Sequence, residues 1–250
     1  MYRYISIYVF DIRIYEFYIY RMSVETNITK RLTDLHSKLK LNYGNFSEEY
    51  PEQEMAVMYI KPDDIVLEIG GNIGRNSCII GSLLNDSKNL VVFESFNAYA
   101  QQLKENRDLN NLSFHIEDCA ISKCELYQKN WDTKPVDEMY SRDFIERTKV
   151  KTSTWSDIKD KYDHLIFNTL VADCEGALYY ILRDEPTFLE NFKKIIIEND
   201  FKDLNHKLYV DEEFKKFKFK RVYVKAIESC PSVFENVKEF FFEVWEKELN

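Results

Sequence analysis

The sequence predicts an α/β fold built on a mostly parallel sheet. Three observations carry this. Short apolar runs alternate with segments of helical period between Ile65 and Leu109. Three such runs end in a carboxylate: Leu90–Phe93 at Glu94, Leu170–Ala172 at Asp173, and Ile195–Ile197 at Glu198. The first run, Ile65–Ile69, opens instead into a glycine turn, Gly70-Gly71-Asn72-Ile73-Gly74. At 250 residues the chain is long enough to bury one substantial core.

The elements follow in order. Ile28, Leu32, Leu35 and Leu39 recur at helical spacing, so Ile28–Leu41 reads as an amphipathic helix. Glu52–Tyr59 reads as a second, short helix. The strand Ile65–Ile69 leads to a helix over Asn76–Leu84, a strand at Leu90–Phe93, a helix over Ala98–Leu109 and a strand at Phe114–Ile116. Cys124–Gln128 reads as a hairpin arm, and Trp131–Thr148, charged and without a period, as an insert or loop. Then come a helix at Ser156–Lys161, a strand at Thr169–Ala172, a helix at Ala177–Arg183 before Pro186, and a strand at Lys194–Ile197. A helix over Glu212–Phe217 precedes two strands, Arg221–Lys225 and Lys238–Val244, which lack a helix between them and should pair antiparallel at one edge. The βαβα middle implies helices on both faces of the sheet.

Composition narrows the function. Thirty-four basic against 43 acidic residues leave a net charge of −9, a poor match to broad phosphate-backbone binding. The run Lys215–Arg221 reads as a solvated helix end entering a strand, with a basic substrate-facing patch as the alternative. The five cysteines, Cys78, Cys119, Cys124, Cys174 and Cys230, form no CxxC pair and suggest reduced thiols in a cytoplasmic protein. Residues 1–22 hold six of the 17 tyrosines and read as an aromatic extension or an extra strand. Asp11, Arg13 and Glu16 interrupt their apolar run, against a signal peptide or membrane span. The expected organisation is this extension, a helical cover over 23–62, and a main domain over 63–250.

The motifs carry the chemistry. Glycines after a buried strand let the backbone turn tightly and let a ligand approach closely. The spacing is G-G-x-x-G rather than the G-x-G-x-x-G of dinucleotide binders, and an ordinary βα turn would fit it too. Glu68, just before the first glycine, could hold a ligand's ammonium group. Glu94 lies 24 positions after Gly70, near the interval of about 20 residues at which a strand-end carboxylate meets ribose hydroxyls. Asp173-Cys174-Glu175-Gly176 repeats the strand–acid–glycine–helix pattern, and Glu198-Asn199-Asp200 ends one more strand in acids. Ligands of open α/β sheets bind at the carboxyl ends of strands, so these groups should share one cleft.

From about Asp63 to Phe201 the chain resembles the FkbM-type methyltransferases, a branch of the S-adenosylmethionine (SAM)-dependent class I fold. Glu68–Gly74 corresponds to the family's D-V-G-A-N-x-G, Phe93-Glu94-Ser95 to its F-E-P, and Asp173-Cys174-Glu175-Gly176-Ala177-Leu178 to its D-V-E-G-A-E. Val171 stands where the family often has lysine. The resemblance implies a Rossmann-like class I methyltransferase fold: a seven-stranded, mostly parallel sheet with an antiparallel last strand. It implies SAM as cofactor, held by Glu68, Gly70, Gly71, Asn72, Gly74, Glu94, Ser95, Asp118, Cys119 and Asp173. It further implies transfer of a methyl group to a hydroxyl, of a sugar, glycan or nucleotide-sugar.

Asp173, Glu198 and His206 are the candidate bases for that transfer, with Glu175 and Asn199 facing the acceptor. A lone histidine such as His206 is more often a packing residue. Asp173, Glu198 and Asn199, from adjacent strand ends, resemble the oxygen-ligand set of catechol-type O-methyltransferases and would suit Mg²⁺. Strand-end acids are common without metal, so a metal-free site is preferred. The expected partner is a small-molecule or glycan acceptor, with neither nucleic acid nor membrane. A nucleic-acid methyltransferase is the alternative, disfavoured by the charge and by the lack of an N-P-P-Y or D-P-P-Y motif. Cys230-Pro231, the other nucleic-acid cue, lies between the last two strands rather than after the fourth. A non-catalytic SAM-binding module is a further alternative.

Overall fold

The structure, a computed structural model, describes residues 26–140, 143–229 and 231–248. The aromatic extension over 1–22 and Cys230 lie outside the described residues. Helix α1 spans 26–38 and belongs to a unit separate from the compact body that starts at Lys40.

That body begins with α2 (Tyr50–Tyr59), β1 (Val66–Ile69), α3 (Arg75–Leu83), β2 (Leu90–Phe93), α4 (Asn97–Leu109) and β3 (His115–Glu117). An insert follows: β4 (Ala120–Ile121), β5 (Leu126–Lys129), β6 (Asp132–Pro135), α5 (Asp143–Glu146), β7 (Thr148–Val150) and β8 (Thr152–Ser153). The second half runs α6 (Trp155–Lys161), β9 (Thr169–Ala172), α7 (Ala177–Asp184), β10 (Lys194–Glu198), α8 (Leu204–Lys216), β11 (Phe219–Lys225) and β12 (Phe242–Lys247).

Seven strands form the main sheet in the order β11-β12-β10-β9-β1-β2-β3, and β12 alone runs antiparallel to its neighbours. Every residue of β1, β2 and β9 is buried, as expected of central strands covered on both faces. From β1 the chain steps outward to β2 and β3; from β9 it steps the other way to β10. Right-handed crossovers therefore put α3 and α4 on one face and α7 and α8 on the other. The strand order reverses between β1 and β9, and a crevice opens there at their carboxyl ends.

Helix α2 is tied to the sheet by one hydrogen bond and one ion pair. Buried Lys194 on β10 donates to the Tyr59 carbonyl at 2.6 Å and pairs with Asp64 at 2.8 Å. Lys225 on β11 pairs with Glu54 at 2.8 Å. These links fix the helix whose first turn carries Glu49 and Glu52.

Three sequence expectations need correction. Trp131–Thr148 is not an irregular loop: β6 and β7 flank β5 in a small antiparallel sheet. Its half-buried Thr, Lys and Gln positions hide the alternation that marks a strand. Helix α8 begins at Leu204, not Glu212, where the Asp203 side chain accepts from the Asn205 N–H at 2.8 Å. Its inward face is Lys207, Val210 and Phe214, and a lysine at a core position disguises the period. That lysine is fully buried against Glu243 of β12, at 2.8 Å. The last strand starts at Phe242, because Lys238–Phe240 forms a 3₁₀ turn held by Asn199: its side-chain amide donates to the Phe240 carbonyl at 2.6 Å and its backbone N–H to that of Phe241 at 2.7 Å.

Candidate functional site

A cleft of about 260 Å³, open to solvent at its mouth, occupies the crevice between β1 and β9. The glycine turn forms one edge. Gly70 and Gly74 both have φ of 91°, and Asn72 has φ of 48°. The N–H groups of Gly70 and Gly71 donate to the Phe93 carbonyl at 2.9 and 3.1 Å, which folds the turn back over the end of β2. A Cβ on Gly70 would lie 1.5 Å from the Asp173 carbonyl oxygen, so the turn after β1 and the one after β9 can touch only through a glycine.

Glu94 links the turn to the next strand. One of its oxygens accepts from the Asn72 N–H and the other from the Phe96 N–H, both at 2.7 Å. Burial raises its pKa, and these two N–H groups oppose the rise. A carboxylate has roughly four acceptor positions, so two remain for a ligand's hydroxyls. The cleft wall continues through Ser95 and Cys119, with Ile121, Leu126 and Ile181 as apolar surface. This combination fits SAM: acceptors for a ribose, apolar wall for an adenine, and carboxylates for a cation.

The acidic floor comes from three segments. Asp173 ends β9, Glu198 ends β10, and Glu49 and Glu52 descend from the start of α2. Burial pushes Asp173 well up from the carboxylate range, with the charges of Asp200 and Glu52 adding to it. Glu198 rises for the same reasons, burial first and then Asp173. Glu49 is pushed up to about 7 by burial although Arg75 pairs with it at 2.6 Å. Glu49 also accepts from the Asn72 side-chain amide at 3.2 Å, which joins α2 to the glycine turn.

The cleft brings together Gly70, Asn72, Glu94, Ser95, Cys119, Asp173, Glu175 and Glu198 of the expected residues. Others stand elsewhere. Glu68 is 2% exposed and lies behind the turn beside Ser77 and Asn76; burial pushes its carboxyl up to about 8. Gly71 and Gly74 pack against Val92 and Leu103, shaping the turn from below. Asp118 pairs with Lys151 at 2.7 Å, which lowers its pKa. Asn199 is fully buried and spends its amide on the Phe240 carbonyl. His206 is stacked on Tyr179 with ring centres 3.7 Å apart and faces Tyr180 edge-on. Neither Asn199 nor His206 lines the cleft.

Sequence reasoning missed Glu49, Glu52 and Trp131. The two glutamates sit on a segment with no motif, and only the fold carries them to the strand ends. Trp131 lies in the turn between paired Lys129 and Asp132, lines the cleft mouth and is 55% exposed. A tryptophan within a charged stretch that lacks a period was the available signal.

No protein-family model and no curated protein significantly matches the sequence. Solved structures do resemble the fold. M. capricolum TrmK, in complex with S-adenosyl-homocysteine, aligns with 10% identity and a TM-score of 0.48 over 80% of this chain and 69% of that one. An rRNA methylase from Streptococcus thermophilus aligns with 8% identity and a TM-score of 0.46 over 80% and 95%. M. jannaschii tRNA m1G37 methyltransferase aligns with 11% identity and a TM-score of 0.45 over 83% and 52%. The last two are nucleic-acid enzymes by name, so the expected sugar or glycan acceptor, and the expected exclusion of nucleic acid, are withdrawn. The FkbM branch has no family model behind it, and the coarser statement stands. Among the described residues no helix is long and apolar enough to cross a membrane. In strand order, strand direction and crevice, the chain has the Rossmann-like α/β fold of class I SAM-dependent methyltransferases.

Proposed function

We propose that this chain is a SAM-dependent methyltransferase whose acceptor is a nucleic-acid base. The observation that carries the donor half is the cleft at the β1–β9 crevice, walled by Gly70, Asn72, Glu94 and Ser95 and floored by carboxylates. Bound SAM supplies an electrophilic methyl group on a cationic sulfur.

This chain's residues supply the rest. The backbone of Gly70 and Asn72 and the free acceptor positions of Glu94 hold the nucleoside part. Asp173, at the meeting of the two turns, presents negative charge to the cationic end. Burial raises the pKa of Asp173 and Glu198, so each, once ionised, is a stronger base than an exposed carboxylate and a candidate to take a proton from an acceptor nitrogen. Asp200 accepts from the Gly176 N–H at 2.8 Å and so braces the loop that carries Asp173 and Glu175. Holding donor and acceptor in line supplies much of the rate in such a displacement.

The acceptor half rests on Trp131. Its exposed ring at the cleft mouth is a stacking platform for a base. The small sheet that presents it also carries Lys134, together with Lys129, Arg147 and Lys149, which pair with Glu146, Asp132 and Glu125.

Incubating the full chain with methyl-labelled SAM and, separately, RNA, DNA, glycans and free small molecules tests both halves. Label in RNA or DNA, lost in Asp173→Ala, is expected. Label confined to glycans or small molecules overturns the acceptor. SAM binding without turnover on any acceptor favours a non-catalytic module, and absence of SAM binding overturns the donor.

A further inference from the structure

The cleft floor holds more acid than a methyl donor needs. Ligand oxygens of Glu52, Asp173 and Glu198 all lie within 4.8 Å of one another. The three come from α2, β9 and β10, so the fold and not local sequence brings them together. Among the described residues no Lys, Arg or His forms an ion pair with any of them; the nearby cations are taken, Arg75 by Glu48 and Glu49 and Lys225 by Glu54.

Glu52 supplies an independent sign of a missing ligand. It is only 7% exposed, its side chain lies within hydrogen-bond reach of the Glu198 carboxyl, and no donor group reaches its Oε2. A buried polar atom left without a partner costs about 1–3 kcal/mol, and a charged one more. A shared proton between two of the carboxyls neutralises that pair and leaves the third charged. A divalent cation offsets two charges at once and draws an oxygen from each residue.

The geometry points to a hard divalent cation bound by Glu52, Asp173 and Glu198 at the acceptor side of the cleft. Opposite oxygens around Mg²⁺ stand about 4.1 Å apart, and around Ca²⁺ about 4.9 Å. The present spacing, within 4.8 Å for every pair, lets either ion bind after side-chain rotations that bring the oxygens inward. Three carboxylates leave further coordination positions, which face the cleft and are open to water or to an acceptor oxygen. The donor set differs from the strand-end set expected from sequence: Asn199 does not line the cleft, and Glu52 stands in its place.

This site does not depend on the methyl-donor reading, and its test omits SAM. Mn²⁺ is titrated into the metal-free full chain at pH 7.5, and loss of the free-ion electron paramagnetic resonance signal is followed. One bound Mn²⁺ per chain is expected, with a dissociation constant below about 1 mM and displacement by Ca²⁺ or Mg²⁺. Glu52→Gln should weaken binding by about tenfold or more, whereas Glu48→Gln, at the surface, should not. Should Glu52→Gln fail to fold by circular dichroism, Glu198→Gln carries the same expectation. Absence of Mn²⁺ binding at millimolar concentration, or equal binding by natural chain and folded variants, overturns the site. SAM binding measured by calorimetry in the presence of chelator reports separately on the methyl-donor reading.

Discussion

The Glu94 carboxylate accepts a hydrogen bond from the backbone N–H of Asn72 at 2.7 Å. Through it the end of β2 holds the glycine turn that follows β1, and one side chain both shapes the turn and lines the cleft. Glu94→Ala removes this bond and the one to Phe96. Hydrogen bonds to charged groups contribute about 1.5–3 kcal/mol each, so SAM affinity should fall at least about tenfold and thermal stability should drop. Calorimetry with SAM and thermal unfolding check both; unchanged SAM affinity would count against Glu94 as a ligand group.

Gly70→Ala should be far more damaging than Gly81→Ala. The new Cβ at position 70 would sit 1.5 Å from the Asp173 carbonyl oxygen at a φ of 91°, and backbone on both sides cannot yield. A cost above about 3 kcal/mol follows. At position 81 the Cβ meets the Phe114 ring at 3.1 Å within a helix, where the contact opposes a gain in helix propensity and the net change stays within about 1 kcal/mol. Urea unfolding of the two variants side by side gives the comparison.

Stability should decline as pH rises from mildly acidic to alkaline. The Glu68 carboxyl goes from 4.5 to about 8 on folding, chiefly through burial. Between those values the folded chain keeps a proton that the unfolded chain releases. The contribution is therefore full below the unfolded pKa and lost as pH rises through the folded one, at no more than about 1.4 kcal/mol per pH unit. Glu68→Gln should flatten this slope and be at least as stable as the natural chain at pH 8. Urea unfolding at pH 6 and 8 tests it, and an unaltered slope in the variant would remove Glu68 from the account.

Trp131→Ala should separate acceptor from donor. Stacking a base on an aromatic side chain contributes about 1–3 kcal/mol, so KM for an RNA or DNA acceptor should rise about tenfold. SAM affinity should hold within about twofold, because the donor wall at Gly70, Asn72 and Glu94 is untouched. Parallel steady-state kinetics and calorimetry measure the split. An equal loss in both would make Trp131 a structural residue of the β5–β6 turn.

The sequence by itself determined the sheet, the turn and the donor side of the cleft. Those features are local: an apolar run of four residues makes a buried strand, and a glycine or carboxylate at its end needs no distant partner to be read. Gly70, Glu94, Asp173 and Glu198 were legible for that reason. Glu68 was legible as a motif residue, yet the alternation of side chains along β1 sends it behind the turn. His206 and Asn199 were read as chemistry, and tertiary packing assigns them to a Tyr179 stack and to the Phe240 carbonyl. Only the tertiary structure brought the acidic floor together. Glu52 lies 121 positions before Asp173 and 146 before Glu198, and no spacing rule joins them. Lys194, through the Tyr59 carbonyl, and Lys225, through Glu54, pin α2 to the sheet, and that long-range docking brings Glu52 beside Asp173 and Glu198 at the cleft floor.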